Sequence, residues 1–295
     1  MPFTKLVLGT AQLGMMYGIA NRTGQPDQEL ATEIIRVAWE NGIQEFDTAQ
    51  GYGESERVLG KSLLQLELSD KVKVITKPHP LLDHLNPAIL ENAIAESLKN
   101  IGVARLYGVM LHREEMLALW HKGLAEILTR LVVKGMVQKI GVSVYSPEKA
   151  IEAINTEGID IVQVPTNILD RRFERAGVFK IAEAKRKDIY IRSIFLQGLL
   201  LMNIRTLPEK MTFAAPFIKR LESLSKDFGL TRHEIAFGYI KSEMPTAKVV
   251  FGVETKEQIT ENLAAWHKDF PANLGEKIRM NFSNVSEQIL NPHLW

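Results

Sequence analysis

Four residues suited to acid–base chemistry follow closely on three short hydrophobic stretches. Asp47 and Tyr52 lie in GIQEFDTAQGYGESERVLG, Lys77 ends VKVITK and His112 ends YGVMLH. Taken singly, each fits a structural role, as a capping aspartate, a loop tyrosine, a solvated lysine or a hydrogen-bonded histidine. Taken together, they would bring a carboxylate, a phenol, an amine and an imidazole to one rim if the three stretches are neighbouring parallel strands. We therefore predict a catalytic site there.

The chemistry of such a site depends on the tyrosine. A free Tyr side chain has a pKa of about 10, which is too high for efficient proton transfer near neutrality unless a cation stabilises the phenolate. Lys77 is the candidate cation, and Asp47 would keep it protonated and oriented. We expect loss of either residue to raise the pKa of Tyr52. His112 would donate a hydrogen bond to a substrate oxygen on which charge develops.

Short hydrophobic runs alternate with segments of helical period along the whole chain, which is the pattern of repeated βα units. The predicted strands are Lys5–Leu8, Glu45–Asp47, Val72–Thr76, Leu106–Leu111, Lys139–Val142, Ile161–Val164, Ile189–Ser193 and Val249–Phe251. The predicted helices are Asp27–Asn41, Glu54–Gln65, Pro87–Asn100, Met116–Lys134, Pro147–Asn155, Arg175–Lys187, Arg232–Ser242 and Lys256–Lys268. Eight strands, each followed by a helix, predict an α/β fold of the (β/α)8 TIM-barrel class.

Residues 1–295 show no low-complexity linker, so we expect a single barrel domain. Asn86-Pro87 and Ser146-Pro147 are helix-start signals, and Thr255 to Gln258 reads as a capping box. The irregular stretch Gln197 to Met211, followed by a helical segment at Phe217–Phe228, predicts an extended loop after strand seven. Leu274 to Leu290 should form a C-terminal helix, and residues 291–295 an apolar tail.

Composition excludes several classes of function. The 36 basic and 35 acidic residues give a formal net charge of +1, so no overall field recruits nucleic acid or an anionic membrane. With no cysteine there is no disulfide, no thiolate metal site and no Cys nucleophile, and we assign no metal site. Neither a signal-peptide pattern at MPFTKLVLGT nor a membrane-length apolar run is present. We expect a cytoplasmic protein that acts on a small molecule.

At these residues the chain resembles the aldo-keto reductase superfamily, whose Asp, Tyr, Lys and His tetrad occupies the ends of strands two to four. FDTAQGYGESERVLG is similar to the long signature of that superfamily. LGTAQLG at residues 8–14, GVS at residues 141–143 and QGLL at residues 197–200 resemble its motifs at the first strand, the fifth strand and the seventh loop. The resemblance covers essentially the whole chain, and so long a signature is specific.

The resemblance implies a carbonyl reductase that uses NADP(H), with NAD(H) possible, on a small carbonyl or sugar substrate. Hydride would pass to the carbonyl carbon while Tyr52 protonates the oxygen. By position, Ser143 and Gln163 would hold the nicotinamide carboxamide, and Gln258, Glu261 and Asn262 would lie along the adenosine. The full set of implied cofactor contacts is Gly9, Thr10, Asp47, Ser143, Gln163, Arg192, Gln197, Gly198, Gly252, Gln258, Glu261 and Asn262.

The departures from the pattern concern the cofactor. Val144 stands where many relatives have Asn, and Arg192 stands where an aromatic residue stacks on the nicotinamide. The positions that grip the 2′-phosphate fall on Gly252, Val253 and Gln258, none of which is cationic. A phosphate dianion needs charge-assisted partners, so the preference for NADP(H) is weakened unless Lys256 or the N-terminus of its helix compensates.

Two other classes of function stay open at this stage. One is a barrel that keeps the cofactor pocket as a sensor or regulatory module with little turnover, which the intact tetrad disfavours. The other is an unrelated barrel isomerase or lyase, which the signature disfavours. The physiological substrate and the choice between monomer and homo-oligomer are not encoded in any motif that we can interpret.

Overall fold

The structure is a computed structural model that describes residues 5–295, apart from the side chain of His293. Eight parallel strands close into a barrel in the order β1 to β8. They are β1 (Leu6–Gly9), β2 (Glu45–Asp47), β3 (Lys73–Thr76), β4 (Leu106–Leu111), β5 (Val137–Ser143), β6 (Ile161–Pro165), β7 (Asp188–Arg192) and β8 (Lys248–Gly252). The predicted barrel is confirmed, and the segment from Met1 to Thr4 lies outside the described residues.

Helices cover the outside of the barrel. The α-helices are α1 (Ala11–Gly14), α2 (Gln28–Glu40), α3 (Ser55–Gln65), α4 (Pro87–Ile101), α5 (Leu124–Val133), α6 (Pro147–Asn155), α7 (Arg172–Arg175), α8 (Val178–Ala184), α9 (Ala215–Phe228), α10 (Arg232–Glu243), α11 (Lys256–His267), α12 (Ala272–Asn281) and α13 (Glu287–Leu290). Short 3₁₀ segments lie at Glu114–Lys122, Leu199–Leu201, Ile204–Thr206, Glu209–Ala214 and Pro292–Leu294. No helix among the described residues is both long and apolar enough to cross a lipid bilayer.

Three predicted helices were wrong in extent. Met116–Lys134 is interrupted at Gly123, whose φ of 113° separates a 3₁₀ segment from α5. Leu274–Leu290 is not one helix, because α12 ends at Asn281 and α13 begins at Glu287. Arg175–Lys187 begins later, at Val178, after Gly177 adopts a left-handed conformation. Glycine favours such conformations because it has no Cβ, so it commonly marks helix ends.

The predicted helix starts are confirmed at two places and altered at a third. The side chains of Asn86 and Ser146 cap α4 and α6. Thr255 caps α11 by accepting from the Gln258 amide at 3.4 Å. The side-chain oxygen of Gln258, however, accepts from the amide of Glu254 at 2.7 Å instead of completing a capping box with Thr255.

Residues along each strand alternate between two apolar environments, as the two-residue period of a strand requires. Val7, Ile75, Met110, Ile161, Tyr190 and Val250 pack together as one cluster. Their strand neighbours, such as Leu6 and Leu8, belong to the larger cluster that includes the helices. On the short strand β2, Glu45 and Asp47 lie on one face of the sheet and Phe46 lies on the other, in the larger cluster.

Helices α3 and α4 pack closely at Gly60, so a larger residue there should destabilise the protein. A Cβ on Gly60 would lie 2.0 Å from the backbone oxygen of Asn100. We expect Gly60→Ala to lower the free energy of unfolding by about 1 to 3 kcal/mol, because one helix must shift. Lys61→Ala, at the exposed neighbouring position of α3, should change it by less than about 0.5 kcal/mol. Chemical denaturation measures both, and equal effects would contradict the packing argument.

Candidate active site

A buried ion pair lies at the carboxyl ends of β2 and β3. The Lys77 Nζ donates to Asp47 Oδ1 at 2.7 Å and to the backbone oxygen of Thr48 at 3.1 Å. The Gln163 side-chain amide, from β6, donates to the other Asp47 oxygen at 2.9 Å. The Lys77 and Asp47 side chains are 1% and 5% exposed, so this cluster is shielded from water and its charges interact strongly.

Tyr52 is carried by a tight turn that only small residues allow. A Cβ on Gly14 would lie 2.1 Å from the Tyr52 backbone oxygen, and Gly53 adopts a φ of 56°. The backbone of α1 therefore touches the turn directly, with the Glu54 amide donating to the Gly14 oxygen at 3.1 Å. Below the turn, the buried Ser55 hydroxyl lies 2.7 Å from the Thr10 hydroxyl. These contacts fix the position from which the Tyr52 ring extends.

The Tyr52 ring lies between the ion pair and the histidine. Its centre is 5.2 Å from the Lys77 Nζ, and its ring meets the His112 ring edge-on with centres 5.6 Å apart. Lys77 and His112 thus lie next to the Tyr52 ring, and Asp47 is hydrogen-bonded to Lys77. The structure brings the whole predicted tetrad together, while its catalytic role stays a prediction.

The surroundings hold Tyr52 in its protonated form. Burial raises its pKa well above the usual value of a tyrosine, and the negative charge of Asp47 raises it further, while Arg192 lowers it. The sign of the Asp47 effect differs from our expectation, because Asp47 lies close enough to act directly on the phenol. At neutral pH the hydroxyl is therefore a proton donor.

His112 is a neutral hydrogen-bonding group. Burial, followed by the positive charges of Lys77, Arg192 and Arg113, lowers its pKa to about 3. Its Nδ1 is buried and has no hydrogen-bond partner among the described residues. An imidazole in this state can donate one hydrogen bond without carrying charge, which fits the predicted contact with a polar substrate atom.

A cavity of about 470 Å³ opens beside Tyr52 at this end of the barrel. Besides Asp47 and Tyr52, its lining includes the predicted cofactor residues Gly9, Thr10, Gln163, Arg192, Gln197, Gly198, Gly252, Gln258, Glu261 and Asn262. Lys77, His112 and Ser143 do not line it. Lys77 is hydrogen-bonded to Asp47, the His112 ring meets the Tyr52 ring edge-on, and the Ser143 hydroxyl accepts from the Arg192 Nε at 3.4 Å.

Two loops meet over the cavity, the β1 loop (residues 15–27) and the β7 loop (residues 193–206). The amide of Ala20 donates to the Gln197 oxygen at 3.4 Å. A Cβ on Gly198, which has a φ of 88°, would lie 2.4 Å from the Ala20 Cβ. The extended loop after strand seven is therefore confirmed, and it forms one wall of the cavity.

The chain offers groups that fit a nicotinamide dinucleotide. The Asn262 side chain is 3% exposed, and its Oδ1 is a buried acceptor with no partner among the described residues. Such an orphaned acceptor is costly unless a ligand supplies a donor, and the exocyclic amine of adenine is one. The Thr10 hydroxyl, in contrast, is used internally by Ser55.

Arg192 stands beside the catalytic end of the cavity. Its guanidinium lies 4.3 Å from the ring centre of Tyr145, and its three nitrogens donate to neutral oxygens of Ser143, Ser193 and Val144 at 3.3 to 3.4 Å. Its charge is therefore not cancelled by a carboxylate in these contacts. Sequence reasoning noted Arg192 as a departure but missed Tyr145, whose only signal was its place just after the GVS motif.

Sequence reasoning also missed several lining residues. Tyr17 and Arg22 come from the β1 loop, His233 begins α10 and Glu254 follows β8. None of them belongs to a motif, so the only available signal was their position in loops at the carboxyl ends of strands.

The fold and the site together define a (β/α)8 barrel with Asp47, Tyr52, Lys77 and His112 clustered beside a cavity of about 470 Å³, an arrangement suited to an oxidoreductase. The sequence model of the aldo/keto reductase family matches residues 5–279, and the chain belongs to this family. The protein is thus an oxidoreductase of the carbonyl-reducing type.

Individual relatives are distant. Over 205 residues the chain is 26% identical to aldo-keto reductase YhdN of Bacillus subtilis, covering 67% of this chain and 60% of that protein. It is 25% identical to the chloroplastic pyridoxal reductase of Arabidopsis thaliana, covering 83% and 73%. The solved holo form of aldo-keto reductase AKR11C1 from Bacillus halodurans superposes with a TM-score of 0.76 at 22% identity, covering 97% and 95%. At 22% identity, the similarity to AKR11C1 is evidence for the fold alone.

The position of Asp47 between Lys77 and Tyr52 predicts pKa shifts of opposite sign. Asp47→Asn removes the negative charge that raises the pKa of Tyr52, so this pKa should fall. Lys77→Met leaves Asp47 without its cation, so the pKa of Tyr52 should rise. If Tyr52 accepts the proton in alcohol oxidation, that reaction needs its phenolate, and the rate rises with pH through this pKa. The rise should therefore move to lower pH in Asp47→Asn and to higher pH in Lys77→Met.

Either single change leaves a buried charge unpaired, at a cost of about 3 to 5 kcal/mol of stability. The double variant Asp47→Asn/Lys77→Met removes both charges and serves as the control for folding. Shifts in the same direction in the two single variants would show that Asp47 does not act directly on Tyr52.

The lowered pKa of His112 also predicts a dependence of stability on pH. Unfolded His binds a proton below about pH 6.5, whereas folded His112 binds one only near pH 3. Its contribution is fully present above pH 6.5 and is lost progressively as the pH falls toward 3. Buried His84 and His233 act in the same direction.

We expect His112→Asn to reduce the loss of unfolding free energy between pH 6.5 and 4.5 by about 1 to 2 kcal/mol. Urea denaturation at both pH values measures this loss. An unchanged loss would mean that folding does not lower the pKa of His112.

Proposed function

We propose that this protein, as a single barrel domain over residues 1–295, reduces an aldehyde or ketone to an alcohol with a nicotinamide dinucleotide, and that Tyr52 is the proton donor. The observation that carries the proposal is the Tyr52 hydroxyl, kept protonated by burial and Asp47 and placed beside the cavity. A nicotinamide cofactor bound there would supply the hydride.

The chain's own residues would divide the remaining work. Tyr52 gives its proton to the carbonyl oxygen, and the neutral His112 ring hydrogen-bonds the same oxygen as negative charge develops on it. Lys77, held by Asp47 and Thr48, offsets charge on the phenolate that remains. Gln163 fixes the second oxygen of Asp47, so the ion pair keeps one orientation.

Residues around the cavity would hold the cofactor. Gln163 and Ser143 would hold the carboxamide. Gln163 lines the cavity, whereas Ser143 does not and would have to release the Arg192 Nε from which it accepts. Asn262 and Glu261 lie at the other end for the adenine, and the β1 and β7 loops cover the middle.

The substrate would be a small carbonyl compound with an apolar part. Met16 and Leu81, which are 72% and 79% exposed, lie in the loops around the Tyr52 turn and offer an apolar rim. A relative is named a pyridoxal reductase, so pyridoxal is a sensible first aromatic aldehyde to assay.

The decisive variant is Tyr52→Phe, which keeps the ring and removes the proton. We expect kcat/KM for aldehyde reduction to fall by at least roughly 100-fold, while the Kd of the dinucleotide changes by only a few-fold. Tyr107→Phe is the matched control, because Tyr107 lies on β4 among Lys73, Lys139 and Lys248 and does not line the cavity. Its activity should stay within a few-fold of the wild type.

Three outcomes would contradict the proposal in different ways. Near-normal turnover in Tyr52→Phe would show that Tyr52 is not the proton donor. Tight dinucleotide binding without turnover of any carbonyl compound would indicate a regulatory barrel. Absence of dinucleotide binding would favour an isomerase or lyase on the same fold.

A further inference from the structure

The cavity has a second end, away from Tyr52, whose charged residues bear on the choice of cofactor. Gly252, Glu254, Gln258, Glu261 and Asn262 line it. The unpartnered oxygen of Asn262 suits adenine, so the adenosine half of a dinucleotide would lie there. This step rests on the proposed function. NAD(H) and NADP(H) differ only by a phosphate on the adenosine ribose, so the charges at this end determine which of them binds.

Lys256 is directed away from the cavity. Lys256, which the sequence offered as a compensating cation, is exposed and lines a separate hollow with Val37 of α2. Its charge acts on Glu33 of the same helix. Lys256 therefore lies on the α2 side of α11, and it does not line the main cavity.

The N-terminus of α11 is also occupied. The amide of Glu254 donates to the side-chain oxygen of Gln258 at 2.7 Å. The amide of Gln258 donates to the Thr255 hydroxyl at 3.4 Å, and the carboxylate of Glu257 accepts from its own backbone amide. Free amides and the helix dipole are what attract phosphate to a helix N-terminus. Here side chains of the protein itself accept hydrogen bonds from the three amides named above, and one of these side chains is the negatively charged Glu257.

Glu254 is instead an acceptor facing the cavity. It is half-buried, and the Thr23 hydroxyl is 3.5 Å from its Oε2. Burial raises the pKa of its carboxyl, and hydrogen bonds from Thr23 and Gln258 lower it. A carboxylate accepts hydrogen bonds only, so it can bind ribose hydroxyls and repels a phosphate.

We infer that Glu254 selects the cofactor: its carboxylate would accept hydrogen bonds from the adenosine ribose hydroxyls of NAD(H) and disfavour the 2′-phosphate of NADP(H). Acidic residues perform this discrimination in other dinucleotide-binding folds. The protein is thus an NAD(H)-preferring enzyme. This replaces the preference for NADP(H) that the family resemblance implied.

Arg22 is the competing group. It is an exposed residue of the β1 loop and the one Arg or Lys at this end among the described lining residues. Burial lowers the pKa of His233, which disfavours a positive charge there. If Arg22 turned toward the ribose it would hold a 2′-phosphate. The test must therefore separate Glu254 from Arg22.

The test measures binding of NADH and NADPH directly, by calorimetry without a carbonyl substrate. We expect wild-type protein to bind NADH at least about 10-fold more tightly than NADPH. Glu254→Gln keeps the size and the polar contacts and removes the charge. It should shift the ratio of the two Kd values toward NADPH by about 10-fold or more, mainly through tighter NADPH binding. Glu276→Gln makes the same charge change at an exposed position of α12 that does not line the cavity, and it should leave the ratio within a few-fold.

Other results would overturn the inference. Equal or tighter NADPH binding by the wild type, lost in Arg22→Gln and unchanged in Glu254→Gln, would assign selection to Arg22. Equal shifts of the Kd ratio in Glu254→Gln and Glu276→Gln would show that only the net charge of the protein matters. If neither nucleotide binds, the proposed function itself is wrong. This result differs from a failure of the Glu254 inference alone, in which the nucleotides still bind.

Discussion

The buried pairing of Asp47 with Lys77 is the constraint on which the site depends. Removing two charges from water costs several kcal/mol per ion, and the attraction between them offsets this only when the geometry is good and the remaining hydrogen-bonding groups are satisfied. Here Thr48 and Gln163 supply those further bonds. The pair consequently ties β2, β3 and β6 together at their carboxyl ends. It also sets the electrostatics of Tyr52, which lies against it.

The two ends of the barrel use charge differently. At the amino end, Glu45 accepts from Lys248 at 2.6 Å and from the Tyr190 hydroxyl at 2.8 Å, and Lys139 pairs with Asp188 at 2.6 Å. These groups close the barrel and neutralise one another. At the carboxyl end, charges and orphaned polar atoms face a cavity instead, which agrees with the usual separation of stability and chemistry in this fold.

Backbone strain is concentrated beside the cavity. Ser193, Leu196 and Gln197 have φ values of 62°, 50° and 54°, although none of them is glycine. Each such residue costs on the order of 1 kcal/mol or more and persists only where its surroundings enforce it. In this chain the enforcing contacts are those between the β7 loop and the β1 loop. The wall of the cavity is thus held in a conformation that the local sequence disfavours.

The sequence alone determined the barrel and its tetrad. Hydrophobic strands with polar residues at their ends are local patterns, and parallel neighbours in a closed barrel have to bring those ends together, so Asp47, Tyr52, Lys77 and His112 were identifiable without coordinates. Three helices were predicted with the wrong extent, at Gly123, at Gly177 and near Asn281, because helical period does not reveal where tertiary packing favours a break.

Only the tertiary structure decided the direction of individual side chains. It placed Asp47 near enough to Tyr52 to raise the pKa of the phenol, and Arg192 over Tyr145. It also put Lys256 on the α2 side of α11 and directed the Gln258 oxygen to the Glu254 amide. The physical reason is that Coulomb and hydrogen-bond energies depend on distances of a few Å between segments far apart in the chain. The sequence lists the groups, and the fold sets those distances.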